Sequence, residues 1–133
     1  MIVVDTNVVA YLYVPSPHTP LVEKLLVRDS VWAAPLLWRS ELRNVLALYL
    51  RKKLMTFDHA CSIQNRAELL LAGNEYAIDS FEVLRLAEQS ECSAYDCEFA
   101  ALAGRLGVKL VSTDKKILRA FPAIALSLKD AAG

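Results

Sequence analysis

Four acidic side chains occupy positions where a carboxylate is otherwise costly. Asp5 directly follows the β-branched run "IVV", and Asp114 follows "LVST" at the end of a second apolar run. Glu41 and Asp96 share predicted helix faces with apolar residues. A buried carboxylate must be paired, protonated or bound to a cation. Carboxylates gathered in one cleft would raise one another's pKa, and a hard cation such as Mg²⁺ or Mn²⁺ would remove that penalty.

Each acid also has an ordinary structural explanation. Asp5 could form an Asx turn or cap the next segment, and Asp114 could cap the helix that follows it. Glu41 could pair with a neighbouring arginine. Asp96 stands three residues after Ser93, as in a capping box. The combination of the four acids nevertheless favours one shared metal site.

A carboxylate-bound divalent metal is suited to hydrolysing phosphodiesters. Such a metal polarises the phosphoryl oxygen, lowers the pKa of an attacking water and stabilises the leaving oxygen. Polar neighbours of the acids could hold the carboxylates or their waters in place. These predicted supporting residues are Thr6, Asn7, Ser112 and Thr113.

The elements that must position these residues alternate along the chain. Apolar runs predict strands at "MIVV", "SVWAAP", "VKLVS" and "AIALSL", with a short extended piece at "NEYAID". Helical spacing predicts helices over "TPLVEKLLVR", "PLLWRSELRNVLALYLRKKL", "TFDHACSIQNRAELLLAG", "FEVLRLAEQ", "AYDCEFAALAGRLG" and "TDKKILRAF". Strands separated by helices predict an α/β fold, with a mainly parallel sheet covered by helices on both faces. We see no linker and expect a single domain over residues 1–133.

Finer features of the helices are also predicted. Thr56, Ser80 and Ser93 are expected to begin helices, and Gly107 is expected to end one. Glu98 is expected to face solvent. The apolar stripe of the longest helix is predicted to comprise Leu37, Trp38, Leu42, Val45, Leu48 and Tyr49.

Composition excludes several classes of function. The 133 residues contain 15 Lys plus Arg and 15 Asp plus Glu, so no global charge attracts a polyanion. Three cysteines without an export signal favour a reducing compartment, and no apolar run could span a bilayer. We therefore expect a cytoplasmic protein without a membrane segment. Phosphate-binding glycine loops and a G-x-S-x-G nucleophile motif are absent.

Three segments together resemble the PIN-domain family and, within it, the small VapC-like toxins. They are "IVVDTNV", "PLLWRSELRNVL" and "YDCEFAALAGRLGVKLVSTDKKIL". The resemblance covers nearly the whole chain. It implies a PIN-like three-layer α/β/α sandwich, a Mg²⁺- or Mn²⁺-dependent endoribonuclease, a homodimer, and a small antitoxin partner of the VapB type. Carried over residue by residue, it makes Asp5, Glu41, Asp96 and Asp114 the metal-binding catalytic acids.

One departure from the family pattern bears on the number of metal ions. Some members have a further acid shortly after the fourth one, whereas Asp114 is followed by Lys115, Lys116 and Ile117. We therefore expect one well-held ion, with any second ion completed by substrate. RNA phosphates could be contacted by Arg39, Arg43, Lys115 and Lys116, although a solvated helix face is the default for such residues. Tyr11 and Tyr13 could border the cleft or a dimer face.

Two other functions remain open at this stage. The chain could be a non-catalytic PIN-like module that binds protein or RNA, but such a module would have no use for four buried acids. It could also be an aspartyl phosphotransferase with Asp5 as the nucleophile. That chemistry often uses a D-x-D pair, which Asn7 interrupts, and it leaves Glu41 unexplained.

Overall fold

Five short strands form the central sheet of the computed structural model, which describes residues 1–133. The strands are β1 (Ile2–Val4), β2 (Trp32–Pro35), β3 (Glu75–Tyr76), β4 (Leu110–Ser112) and β5 (Ala125–Ser127). Their order is β3-β2-β1-β4-β5, and every neighbouring pair is parallel. The predicted α/β fold with a mainly parallel sheet is confirmed.

Eight helices surround this sheet. They are α1 (Thr6–Tyr13), α2 (Thr19–Arg28), α3 (Leu37–Arg51), α4 (Phe57–Leu70), α5 (Ser80–Gln89), α6 (Ala94–Leu106), α7 (Lys115–Ala120) and α8 (Leu128–Ala132). Helix α6 packs on β1, β2 and β4 and contacts α5, whereas α1, α2, α3, α4 and α8 contact one another in a second group. Parallel strands require crossover connections, which place helices on the faces of the sheet. The result is the expected three-layer sandwich. No helix has the length and apolar character needed to cross a bilayer.

Strands β1 and β4 lie side by side at the centre of the sheet. The chain builds outward from β1 through β2 to β3 and then returns to place β4 on the other side of β1. Val3 pairs with Leu110 and Val4 with Val111, and all four side chains are fully buried. Ligands of open α/β sheets bind beyond the carboxyl ends of the strands, where the strand order reverses. The residues after Val4 and Val111 therefore stand at that position.

Several helix ends follow the predicted capping chemistry. The hydroxyls of Thr56 and Ser93 accept hydrogen bonds from backbone amides three residues further on. Helix α6 ends at Gly107, whose φ of 68° lies in the left-handed region that glycine tolerates best. These confirmed ends fix where α6 begins, and Asp96 lies in its first turn.

Three details differ from the sequence-based expectation. Asp79, not Ser80, caps α5, because its Oδ2 accepts a hydrogen bond from a backbone amide of the first turn. Leu48 is 47% exposed, and Leu46 takes the buried position of the α3 stripe instead. Helices α1 and α8 were not predicted.

Candidate active site

All four predicted acids line one cavity of about 550 Å³ at the carboxyl ends of β1 and β4. Asp5 follows β1 directly and Asp114 follows β4 by two residues. Glu41 lies in the second turn of α3 and Asp96 in the first turn of α6. The switch point of the sheet and two crossover helices thus bring together side chains from four distant parts of the sequence.

Asp5 is the most deeply buried of the acids, with 8% of its surface exposed. It occupies the N-cap position of α1, but its side chain makes no capping hydrogen bond. Its Oδ2 instead accepts a hydrogen bond of 2.8 Å from the hydroxyl of Ser112, which is fully buried on β4. The same Ser112 oxygen accepts a hydrogen bond of 3.0 Å from the backbone amide of Asp114. The Ser112 hydroxyl therefore links the carboxylate of Asp5 to the backbone of Asp114.

Glu41 is held by a residue of the first strand–helix junction. The hydroxyl of Thr6 donates a hydrogen bond of 2.7 Å to Oε1 of Glu41. Glu41 makes no salt bridge, which removes the alternative explanation that a neighbouring arginine neutralises it. Its half-buried carboxylate therefore faces the cavity without a cationic partner.

The other two acids combine local and shared roles. Asp114 caps α7, since its Oδ1 accepts a hydrogen bond of 2.8 Å from the backbone amide of Lys116. Asp96 contributes its backbone amide to the Ser93 cap at 3.1 Å, and no backbone amide donates to its carboxylate. The capping explanation considered from the sequence is thus correct for Asp114. The Asp96 carboxylate lines the cavity, and the hydroxyl of Ser93 lowers its pKa against the larger effect of burial.

The electrostatics of the cavity favour protonation or a cation. Burial raises the pKa of Asp5 to about 6, the hydrogen bond from Ser112 opposes the shift, and the charges of Glu41 and Asp96 add to it. The pKa of Glu41 is raised by burial and by Asp96, and that of Asp96 by burial and by Asp114. The carboxylates therefore repel one another across the cavity, and a divalent cation would relieve this repulsion.

The donor atoms suit a hard metal ion, although they are not drawn tightly together. Carboxylate oxygens and the oxygens of Thr6, Asn7 and Ser40 line the cavity, and no basic side chain does. No three acidic, histidine or cysteine side chains form a preassembled metal-ligand group. Mg²⁺ commonly binds one or two carboxylates directly and keeps several waters, so such a group is not required. The residues that line the cavity therefore fit a hydrated divalent ion.

The predicted supporting and basic residues are only partly at the cavity. Thr6 and Asn7 line it and Ser112 supports it, whereas Thr113 does not line it. Arg39 is held away, because its guanidinium pairs with both carboxylate oxygens of Glu75 at 2.6 Å.

The three remaining predicted RNA contacts also lie outside the cavity lining. Arg43 instead borders an apolar groove between α3 and α4. Lys115 and Lys116 are exposed at the start of α7. The positive charge of Lys116 lowers the pKa of Asp96, so Lys116 lies close enough to affect the site.

Several residues of the cavity wall were not predicted. Ser40, Asn44 and Tyr95 line the cavity, and each is exposed. Ser40 directly precedes Glu41, and Tyr95 directly precedes Asp96. This closeness in sequence to the acids is the signal from which both residues could have been predicted to line the cavity. Glu98 was expected to face solvent. It is half-buried, and its pKa is raised by burial and by the charge of Glu41.

The decisive comparison is with a family model described as PIN domain, which matches residues 2–122. The chain belongs to the PIN domain family. This chain is 28% identical over 126 residues to Ribonuclease VapC3 of Pyrobaculum aerophilum. The match covers 92% of this chain and 96% of the relative. That residues 1–133 form a single domain stays a prediction.

Solved structures share the fold of this PIN domain. FitAcB from Neisseria gonorrhoeae superposes with a TM-score of 0.77 at 20% identity, over 97% of this chain and 99% of that chain. PAE2754 from Pyrobaculum aerophilum superposes with a TM-score of 0.73 at 20% identity, over 98% and 92% of the two chains. Both comparisons confirm the architecture derived above.

Proposed function

We propose that this PIN domain is an endoribonuclease that depends on Mg²⁺ or Mn²⁺. The observation that carries the proposal is the cavity at the β1–β4 switch point, where Asp5, Glu41, Asp96 and Asp114 meet. Burial and neighbouring carboxylates raise the pKa values of Asp5, Glu41 and Asp96 there. The relative named Ribonuclease VapC3 supports RNA as the substrate. When bound, a divalent metal would supply Lewis-acid activation and stabilise the charge that develops on a phosphodiester.

Some residues of the cavity would hold the metal, and others position the carboxylates that hold it. Asp5 and Glu41 would hold the metal, with Asp96 and Asp114 binding it directly or through water. Ser112 and Thr6 fix the carboxylates of Asp5 and Glu41, so that one oxygen of each is already occupied by a hydroxyl donor. Because no basic side chain lines the cavity, an RNA phosphate would approach it only when the acids carry a cation.

We further propose that the protein is the toxin of a type II toxin–antitoxin pair, acting in the cytoplasm as a homodimer. The resemblance to VapC-like toxins supports this role, as does the family membership. A small VapB-type antitoxin would be the partner. The related FitAB, at 20% identity and a TM-score of 0.72, has been solved bound to an IR36 DNA fragment. A partner that binds DNA is therefore the kind to seek.

The nuclease proposal is tested with purified protein and a pool of single-stranded RNA oligonucleotides. We expect cleavage with Mg²⁺ or Mn²⁺, and loss of cleavage with EDTA or in the variants Asp5→Asn and Glu41→Gln. Glu23→Gln removes an exposed acid of α2 that does not line the cavity and is the matched control. Circular dichroism establishes that each variant is folded. Cleavage by Asp5→Asn at the wild-type rate under saturating metal would overturn the proposal.

The same experiment separates the two alternatives. A PIN-like binding module would bind RNA or protein without cleaving RNA under any metal condition. An aspartyl phosphotransferase would form a trapped acyl-phosphate on Asp5 when given a phosphorylated donor. Neither result is expected, because Glu41, Asp96 and Asp114 would then have no role at the cavity.

A further inference from the structure

Tyr95 is an exposed aromatic side chain at the wall of the acid-lined cavity. Its exposed fraction is 63%, and it directly precedes Asp96 in the first turn of α6. The aromatic and cation–π contacts of the fold involve Tyr11, Tyr13 and Tyr76, and the hydroxyl of Tyr95 has no hydrogen-bond partner. The ring is therefore available to a ligand.

The position of Tyr95 distinguishes it from the other exposed apolar residues. Phe57 and Phe81 are more exposed, at 70% and 78%, but neither lines the cavity. A bare aromatic ring beside a site that cleaves phosphodiesters can stack on a nucleobase, because every base has a π-face. Stacking of this kind is the usual way in which proteins hold unpaired RNA bases.

Helix α3 contributes neutral polar groups to the same wall. Ser40 and Asn44 stand one turn apart on either side of Glu41 in the sequence, and neither makes a hydrogen bond through its side chain. An asparagine amide offers two donors and an acceptor, which is what the edge of a base requires. Leu37 and Val45 add apolar surface to the lining.

We propose that this wall is a nucleobase subsite, in which the base next to the scissile phosphate stacks on Tyr95 and presents its edge to Asn44 and Ser40. The inference rests on the proposed ribonuclease function and names its substrate class more closely. Both faces of a base in a duplex are covered by its neighbours, so the subsite takes a base from a single strand or a loop. RNA with an unstacked base at the cleavage point is therefore the substrate.

The first test compares wild type, Tyr95→Ala, Tyr95→Phe and the control Phe81→Ala on one single-stranded oligonucleotide with a mapped cut. We expect Tyr95→Ala to lower kcat/KM roughly 5- to 100-fold, which corresponds to the loss of one stacked base. Tyr95→Phe should stay near wild type because it keeps the ring, and Phe81→Ala should be unchanged. Equal rates for Tyr95→Ala and wild type would overturn the subsite while leaving the nuclease intact.

A second test removes the base instead of the ring. An abasic residue beside the cut should slow wild type by a similar factor and should slow Tyr95→Ala no further, because the stacking partner is already gone. Asn44→Ala should alter the preference among the four bases at that position, whereas Asn65→Ala on the exposed face of α4 should not. Additive losses in the abasic experiment would overturn the proposal.

The outcomes also distinguish failure of the proposed ribonuclease function from failure of the nucleobase subsite. If wild type cleaves no RNA with Mg²⁺ or Mn²⁺, the proposed function fails and the subsite fails with it. If cleavage is normal in Tyr95→Ala but the variant no longer binds a partner protein that wild type binds, Tyr95 is a protein contact. That result would overturn the subsite alone.

Discussion

Thr6 and Glu41 are joined by a hydrogen bond of 2.7 Å across 35 residues of sequence. Thr6 begins α1 immediately after Asp5, and Glu41 lies on α3, so this contact fixes the position of one acid relative to another. The bond also lowers the pKa of Glu41, against the upward effects of burial and of Asp96. A single hydroxyl therefore both places Glu41 and favours its ionised form.

Replacing Thr6 by valine keeps the shape of the side chain and removes the donor. We expect the pKa of Glu41 to rise further, and cleavage near pH 6.5 to fall at least about tenfold, since the loss of one charge-assisted hydrogen bond is worth about 1.5–3 kcal/mol. Thr6→Ser retains the hydroxyl and is the control. The measurement is kcat/KM from pH 5.5 to 8.5. Superimposable profiles for Thr6→Val and Thr6→Ser would show that the bond has no functional role.

Ser112 is expected to be important for stability as well as for the site. In Ser112→Ala, the Asp5 carboxylate loses a donor and the backbone amide of Asp114 loses its acceptor. Each unsatisfied buried group costs about 1–3 kcal/mol, so the free energy of unfolding should fall by at least about 2 kcal/mol. Urea unfolding measures this change. Thr113→Ala, one residue away, should change stability by less than about 0.5 kcal/mol. Similar losses of stability in both variants would contradict a specific stabilising role for the Ser112 hydroxyl.

The raised pKa of Asp5 predicts how stability depends on pH without metal. Because the pKa is about 6 in the fold and 3.8 ordinarily, the ionised form is penalised in the folded state. The penalty, about 3 kcal/mol, is complete above pH 6 and is relieved as pH falls from 6 towards 4. Asp5→Asn should therefore be more stable than wild type at pH 7.5 in EDTA, and the difference should vanish near pH 4. A difference independent of pH would contradict this reasoning.

Addition of Mg²⁺ or Mn²⁺ should stabilise the wild-type protein by mass action. At a metal concentration of about 100 times Kd, the gain is about 2.7 kcal/mol, which raises the Tm by roughly 10 °C in a chain of this size. Differential scanning fluorimetry with EDTA and with metal measures the shift. Glu41→Gln should lose most of it, whereas Glu23→Gln should keep it. Equal shifts in both variants would place the metal outside the cavity.

Arg39 and Lys116 should respond differently to substitution. Arg39→Ala breaks the ion pairs with Glu75 and Glu68, so we expect a lower Tm and an unchanged salt dependence of RNA binding. Lys116→Ala should leave the Tm nearly unchanged, weaken RNA binding and reduce the salt slope by about 1. Filter binding at several salt concentrations measures the slope. A reduced salt slope for RNA binding by Arg39→Ala would show that Arg39 contacts RNA phosphates after all.

The sequence was sufficient to predict the sheet and the convergence of the four acids on one cavity, because the strands and the positions of the acids depend on local patterns. The strands β1 and β4 begin as short apolar runs, and Asp5 follows β1 directly whereas Asp114 follows β4 by two residues. Helix α1 was missed because "VVAYLYV" is apolar throughout, and such a run has no clear helical period. Helix α8 has five residues, too few to show a period.

The position of Arg39 could not be predicted from its own helix. Its partners Glu68 and Glu75 lie 29 and 36 residues away, on α4 and on β3. Sequence spacing places Arg39 on the polar side of α3, but only the packing of α4 and the edge strand decides that it is bound there. The same holds for Tyr95, because the side of α6 that meets the cavity depends on how α6 lies across the sheet.

The central pairing of β1 with β4 affects when the acid-lined cavity can form during synthesis and folding. The hydrogen bond from Ser112 to Asp5 joins residues 107 positions apart, so the two central strands meet at the cavity only after β4 has been synthesised. Pairing between such distant segments is also slow to form. The acid-lined cavity is therefore incomplete in a nascent chain until β4 has paired with β1.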